Sequence, residues 1–145
     1  MSDALPASLL LRFAALFYDL LVLIAVWMAI AALVLLAFDG DVDVAAQPPL
    51  YHWVLQTSLL SATAAYFIVS WMRGGQTIGM RAWRLRIVST SGPRLPLARA
   101  ALRFGVALVS LLAAGAGFLW CLVDPLGRSW HDLAADARMV REPKR

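Results

Sequence analysis

Two opposite charges open a stretch of chain that otherwise carries none. Arg12 is followed seven residues later by Asp19, and across residues 13–38 every other side chain is apolar, apart from the phenol of Tyr18. A helix over that stretch would be about 39 Å long at ~1.5 Å per residue, against a hydrocarbon core of about 30 Å. A carboxylate within such a span costs roughly 2.5–3.5 kcal/mol even on the most permissive insertion scale. Two kinds of chemistry use a carboxylate at that depth. Desolvation disfavours the charged form, so the group either serves as a hydrogen-bonded clamp that fixes helix register, or takes up and releases protons as carriers require. With hydroxyls beside it, Asp19 would also supply part of an oxygen shell for a monovalent cation.

Arg12 and Asp19 are related by about 700° of helical rotation, which puts them on nearly one face but about 10 Å apart along the axis. That is too far for a direct ion pair. Asp132 follows the last apolar block. If the chain returns there to the side on which the first helix begins, Arg12–Asp132 is the natural salt bridge. Asp19 is then left deeper, facing the second helix and the hydroxyls of Ser58 or Ser61.

The elements that position these residues follow from composition. Of 145 residues, 61% are hydrophobic and the mean hydropathy is +0.72. The apolar residues fall in long blocks, which places the chain in the membrane class as one domain over residues 1–145. The expected fold is an all-α integral membrane bundle. It has spans near 9–38 and 53–72, a third hydrophobic segment near 104–123, a loop at 73–103 and a tail at 124–145. The first block lacks a basic leader and exceeds the length of a signal sequence, so it reads as a retained span. The second carries Gln56, Thr57, Ser58, Ser61, Thr63 and Ser70, spaced for close helix packing or to line a polar pathway.

Charge sets the expected orientation. The 39–52 loop holds Asp39, Asp41 and Asp43 without a Lys or Arg, whereas 73–103 holds seven arginines and no acid. By the positive-inside rule the N-terminus and the 73–103 loop are cytoplasmic and the 39–52 loop is outside. The basic tail (Arg128, Arg138, Arg141, Lys144, Arg145) also belongs inside. A full third crossing would export it. Gly115 and Gly117 interrupt the third block at its centre, so a segment bent there, entering and leaving on one side, is expected. Half-depth backbone of that kind is tolerated only where protein buries it or water reaches it. Within the loop, residues 83–88 alternate as a short strand before a turn, giving an expected strand pair. Residues 96–103 begin an interfacial helix with Arg99 and Arg103 on one side. Trp53, Trp71, Trp120 and Trp130 sit near block ends, as interfacial anchors do.

Other chemistry finds little support. The single cysteine, Cys121, excludes an intramolecular disulfide, and His52 and His131 are too far apart to read as a metal pair. His131 is expected to make a surface contact. The glycine-rich 74–79 loop lacks the lysine of a phosphate loop. No catalytic constellation and no cofactor are expected, and anionic lipid headgroups account for the arginines better than nucleic acid does.

Three ordered motifs remain. Arg12 and Asp19 are the first; Gly75, Gln76, Thr77, Ile78 and Gly79, followed by Arg81 and the 85–88 strand, are the second; Trp130, His131, Asp132, Leu133, Ala134 and Ala135 are the third. Together they resemble the RDD family of small bacterial membrane proteins, named for one arginine and two aspartates. Met80 stands where the family often has lysine. Asp136 and Ala137 stand where the closing motif usually continues with glycine and threonine. The resemblance implies a multi-pass protein of the bacterial inner membrane with Arg12, Asp19 and Asp132 as its signature. The family's role is poorly defined, and transport, including sodium–proton exchange, has been linked to some members. One chain has too few helices to enclose a pathway, so a carrier would be a homo-oligomer. The alternative is a non-transporting scaffold or assembly partner.

Overall fold

In the computed structural model residues 5–38, 43, 47–89, 92 and 95–143 are described. The chain runs β1 (Leu5–Pro6), α1 (Leu9–Ala37), α2 (Pro49–Gly74), α3 (Ile78–Ala82), β2 (Leu85–Ser89), α4 (Leu97–Leu112), α5 (Ala116–Leu119), α6 (Trp130–Ala134) and β3 (Ala137–Arg141). Asp39 and Asp41 of the acidic loop, Arg94, Lys144, Arg145 and most of the expected turn after β2 lie outside the described residues.

No glycine or proline interrupts residues 9–37, and α1 runs through all 29 of them. Pro49 occupies the first turn of α2, where its missing N–H leaves no bond unmade. Gly75, in the left-handed region at φ +66°, ends the helix. Both helices are long and apolar enough to cross a membrane. They pack against each other in opposite directions: Phe38 meets Tyr51 edge to face, and the Trp27 indole donates to Thr63 Oγ1 at 2.9 Å.

The third apolar block is broken, as the glycines imply. α4 and the following short helix meet at 109°. Ala114 and Gly115 both take left-handed conformations there, and the Gly115 N–H reaches back to the Ser110 carbonyl at 2.8 Å. A Cβ at Gly117 would overlap the Ser110 side chain and stand 2.8 Å from the Trp130 ring. Its absence lets α5 fold back against α4. The arginine-bearing segment expected as a separate interfacial helix is the first half of α4. No breaker separates it from the apolar block, so the helix continues to Leu112.

The expected strand pair within the loop is corrected by the sheet. β2 pairs antiparallel with β3 of the tail, from Leu85↔Arg141 to Ser89↔Ala137, and β1 pairs with the other edge of β3. The alternating residues 137–141 offer β2 a partner with a buried face. Leu85, Ile87, Ala137 and Met139 from that sheet pack with Ala7, Ala15, Trp71, Met80, Leu95 and Ala100. The core therefore sits at one end of the helix pair, where α1 begins and α2 ends. The far halves of the long helices expose apolar side chains such as Met28, Leu33, Leu36 and Trp53. Trp71, expected as an interfacial anchor, belongs to the core instead.

Candidate functional site

The strongest electrostatic feature is a buried ion cluster beneath α1. Ser129 begins the turn into α6, and both its N–H and its hydroxyl donate to Asp132 Oδ2, at 3.2 and 2.7 Å. Arg12 reaches the same oxygen with Nη1 at 2.8 Å. Its remaining donors are used as well, Nε on the Ala7 carbonyl at 3.2 Å and Nη2 on the Gly127 carbonyl at 2.6 Å. From α4, Arg103 Nη2 donates to Asp132 Oδ1, and its guanidinium lies 4.5 Å over the Trp71 ring. Arg12, Arg103 and Asp132 are 4, 2 and 0% exposed. Burial alone would raise the Asp132 pKa. The guanidiniums of Arg103 and Arg12 reverse that and hold it well below the usual carboxylate range, with His131 adding to them only when protonated.

The Arg12–Asp132 bridge expected from the sequence is present. Arg103 was legible only as one of several basic residues. A signal existed, because Arg103 stands at the head of the third apolar block as Arg12 stands near the head of the first.

His131 is buried, not at the surface. α6 docks against the fold-back of α5, which sets the ring against Phe118. Its Nε2 lies 2.8 Å from Ser129 Oγ. Since that hydroxyl donates to Asp132, we assign the ring proton to Nε2, leaving Nδ1 a bare acceptor with no partner. Burial, then the charge on Arg103, lowers the His131 pKa from 6.5 to about 3. The folded state therefore holds the ring neutral. Between pH 6.5 and about 3 the unfolded chain binds the extra proton, so stability falls as pH falls through that window. The full slope for one proton is about 1.4 kcal/mol per pH unit. Unfolding midpoints in one detergent from pH 7 to 5 will decline for the wild type and decline less for His131→Gln. Parallel declines would refute the buried neutral ring.

Asp19 forms a second, separate arrangement. Its Oδ1 accepts from the Tyr66 hydroxyl at 2.6 Å and from the Gly79 N–H at 2.8 Å, and its Oδ2 accepts from Thr77 Oγ1 at 2.5 Å. Three donors thus converge on one carboxylate. The glycine-rich motif supplies two of them. Gly75 turns the chain out of α2 where a Cβ would stand 2.7 Å from the Ile87 carbonyl oxygen. Thr77 caps α3, accepting from Met80 N at 3.2 Å. Gly79 lies against the α1 backbone, where a Cβ would overlap the Ala15 carbonyl oxygen. Gly75, Thr77 and Gly79 therefore shape a loop that docks on Asp19.

Ser58 and Ser61 do not hydrogen-bond Asp19. The Trp27–Thr63 contact fixes the register of the two helices. Asp19 lies two turns below Trp27, opposite the end of α2 rather than Ser58 and Ser61. Tyr66 reaches it because the phenol is long. Ser61 lies on an exposed face of α2. Among the described residues no group of three or more His, Cys, Asp or Glu could hold a metal ion. The donors around Asp19 turn hydrogens toward it, which is not the oxygen shell a cation requires.

No curated protein and no solved structure matches the chain significantly. A family model described as the RDD family matches residues 6–136, a segment that contains all three motifs. Arg12 and Asp132 tie the start of α1 to α6, Asp19 ties α1 to α2 and the turn at Thr77 and Gly79, and the chain belongs to the RDD family of membrane proteins.

Proposed function

We propose that this protein is a non-transporting membrane scaffold, an assembly partner in which a cytoplasmic cap is locked onto a pair of spans. The observation that carries this reading is the use made of Asp19: three donors from the chain itself occupy it. A transport or sodium–proton exchange component would need the oxygens of that carboxylate free to take up an ion. Arg12 and Asp132 are likewise spent on internal bonds.

The shared sheet supports the orientation. β1, β2 and β3 come from the N-terminal segment, the loop and the tail, so one membrane face for all three satisfies the pairing. The arginines of the loop and tail favour the cytoplasmic face of a bacterial inner membrane, with 39–52 outside. The bent third segment supports the same arrangement. The bare apolar far halves of α1 and α2 favour a homo-oligomer or a membrane partner.

Asp19→Asn tests the reading. In liposomes, sodium- and pH-gradient flux will stay at the protein-free baseline for both wild type and variant. The variant will lose about 1–3 kcal/mol of stability, because an amide offers donors to donors, and its oligomer mass will shift. Gradient-driven flux in the wild type that disappears in a normally assembled variant would overturn the scaffold reading in favour of transport.

A further inference from the structure

A cavity of about 520 Å³ lies between α1, α2 and α4, above the ion cluster. Its walls are apolar, built from side chains such as Leu23, Trp27, Phe67, Phe104 and Ala107. Leu60 and Leu111 also line it, and both are largely exposed, so the walls open on the side of the helices that faces lipid. Its polar lining consists of Arg12, Asp19, Thr63, Thr77, Arg103 and His131, and Arg103 and His131 are 2 and 4% exposed.

Those last two side chains are chemically unfinished. Arg103 bonds Asp132 through Nη2, while its Nε has no partner. His131 leaves Nδ1 without a partner, and both residues flank Asp132 Oδ1. A buried donor and a buried acceptor left unpaired each cost roughly 1–3 kcal/mol.

We propose that this cavity binds a single-chain fatty acid, its acyl chain between α1, α2 and α4 and its carboxylic acid head, bound with its proton, at Arg103 and His131. The protonated head supplies what these two lack: a carbonyl oxygen to accept from Arg103 Nε, and an O–H to donate to His131 Nδ1. The volume argues against a helix from a second copy. One turn of helix, about 10 Å across and 5.4 Å long, already takes up roughly 400 Å³. The proposal is independent of the scaffold reading, since a scaffold and a carrier could each hold such a ligand.

The test uses the full-length protein, stripped of lipid in detergent, with oleate as the probe and oleyl alcohol, which lacks the carbonyl oxygen, as its counterpart. Oleate will bind once per chain and about tenfold or more tighter than oleyl alcohol. Ala107→Phe, which grows into the cavity, will weaken oleate at least about tenfold while leaving the unfolding midpoint unchanged or raised. A photoreactive fatty acid on the wild type gives a readout that does not depend on any variant folding, and its crosslinks will map to α1 and α4 peptides lining the cavity. Equal binding of the two probes would overturn the proposal. So would oleate binding undiminished in a folded Ala107→Phe, or crosslinks confined to the outer faces of the helices.

Discussion

Asp132→Asn will destabilise the folded chain by about 3–5 kcal/mol, the usual effect of removing one partner from a buried ion pair. Asp132 is fully buried and receives Arg12 on one oxygen and Arg103 on the other. Asparagine keeps the size but removes the charge, leaving two guanidiniums buried with no counter-ion between them. Its amide hydrogens would also oppose the Arg and Ser129 donors. The loss will appear as a lower unfolding midpoint in a fixed detergent. Adding Arg103→Met to Asp132→Asn should restore part of the loss, because one stranded charge is gone. Glu142→Gln is the control. It breaks the Arg86–Glu142 pair, whose side chains are 42 and 40% exposed, and exposed pairs are worth at most about 1 kcal/mol. If Asp132→Asn and Glu142→Gln cost the same, the cluster does not organise the fold.

Gly79→Ala will be comparably damaging although it adds one methyl group. The new Cβ would overlap the Ala15 carbonyl oxygen and stand 2.9 Å from both Ala15 C and Asp19 Cγ. Those are atoms of a helix backbone and of a clamped side chain, so α3 must lift away. Lifting α3 pulls the Gly79 N–H, and Thr77 with it, off Asp19. Overpacking costs about 1–3 kcal/mol, and each lost charge-assisted bond adds about 1.5–3 kcal/mol. A total of at least about 3 kcal/mol is expected. Gly105→Ala should go the other way. A Cβ there meets nothing within 4 Å, and alanine inside a helix is favoured over glycine by about 1 kcal/mol. Unfolding titrations of the two variants in the same micelle check the opposite signs. Equal shifts would mean that α3 is not pressed against α1.

The Asp19 clamp separates what residue types reveal from what packing decides. A lone carboxylate in an apolar run announces that something must satisfy it, and the sequence marks its place to the residue. Its partners are another matter. Tyr66 belongs to a different helix, and Thr77 and Gly79 to a loop that folds back from that helix's end. The register set by the Trp27–Thr63 contact puts Ser58 and Ser61 out of reach. Helical phase places residues around one axis, but it says nothing about where two axes are set against each other.

The Arg12–Asp132 pair was legible because the argument for it needs no packing detail. Basic residues in the loop and tail favour one membrane face, and the two glycines of the third block permit the return. Arg103 was not legible as its second partner. The charge pattern places Arg103 at an interface, and only the docking of α6 against α4 turns it inward.

By itself the sequence determined two membrane-length helices, a broken third segment and the three motifs of the RDD family, because length, hydropathy and glycine placement act locally along the chain. The tertiary structure decided how the ends meet. Residues at least 48 positions apart in the chain pair in one sheet, and that closure buries Arg12, Arg103, Asp132 and His131 together. Burial and contact between distant segments set the charge states of Asp132 and His131 and the shape of the cavity above them, and neither quantity belongs to any one stretch of residues.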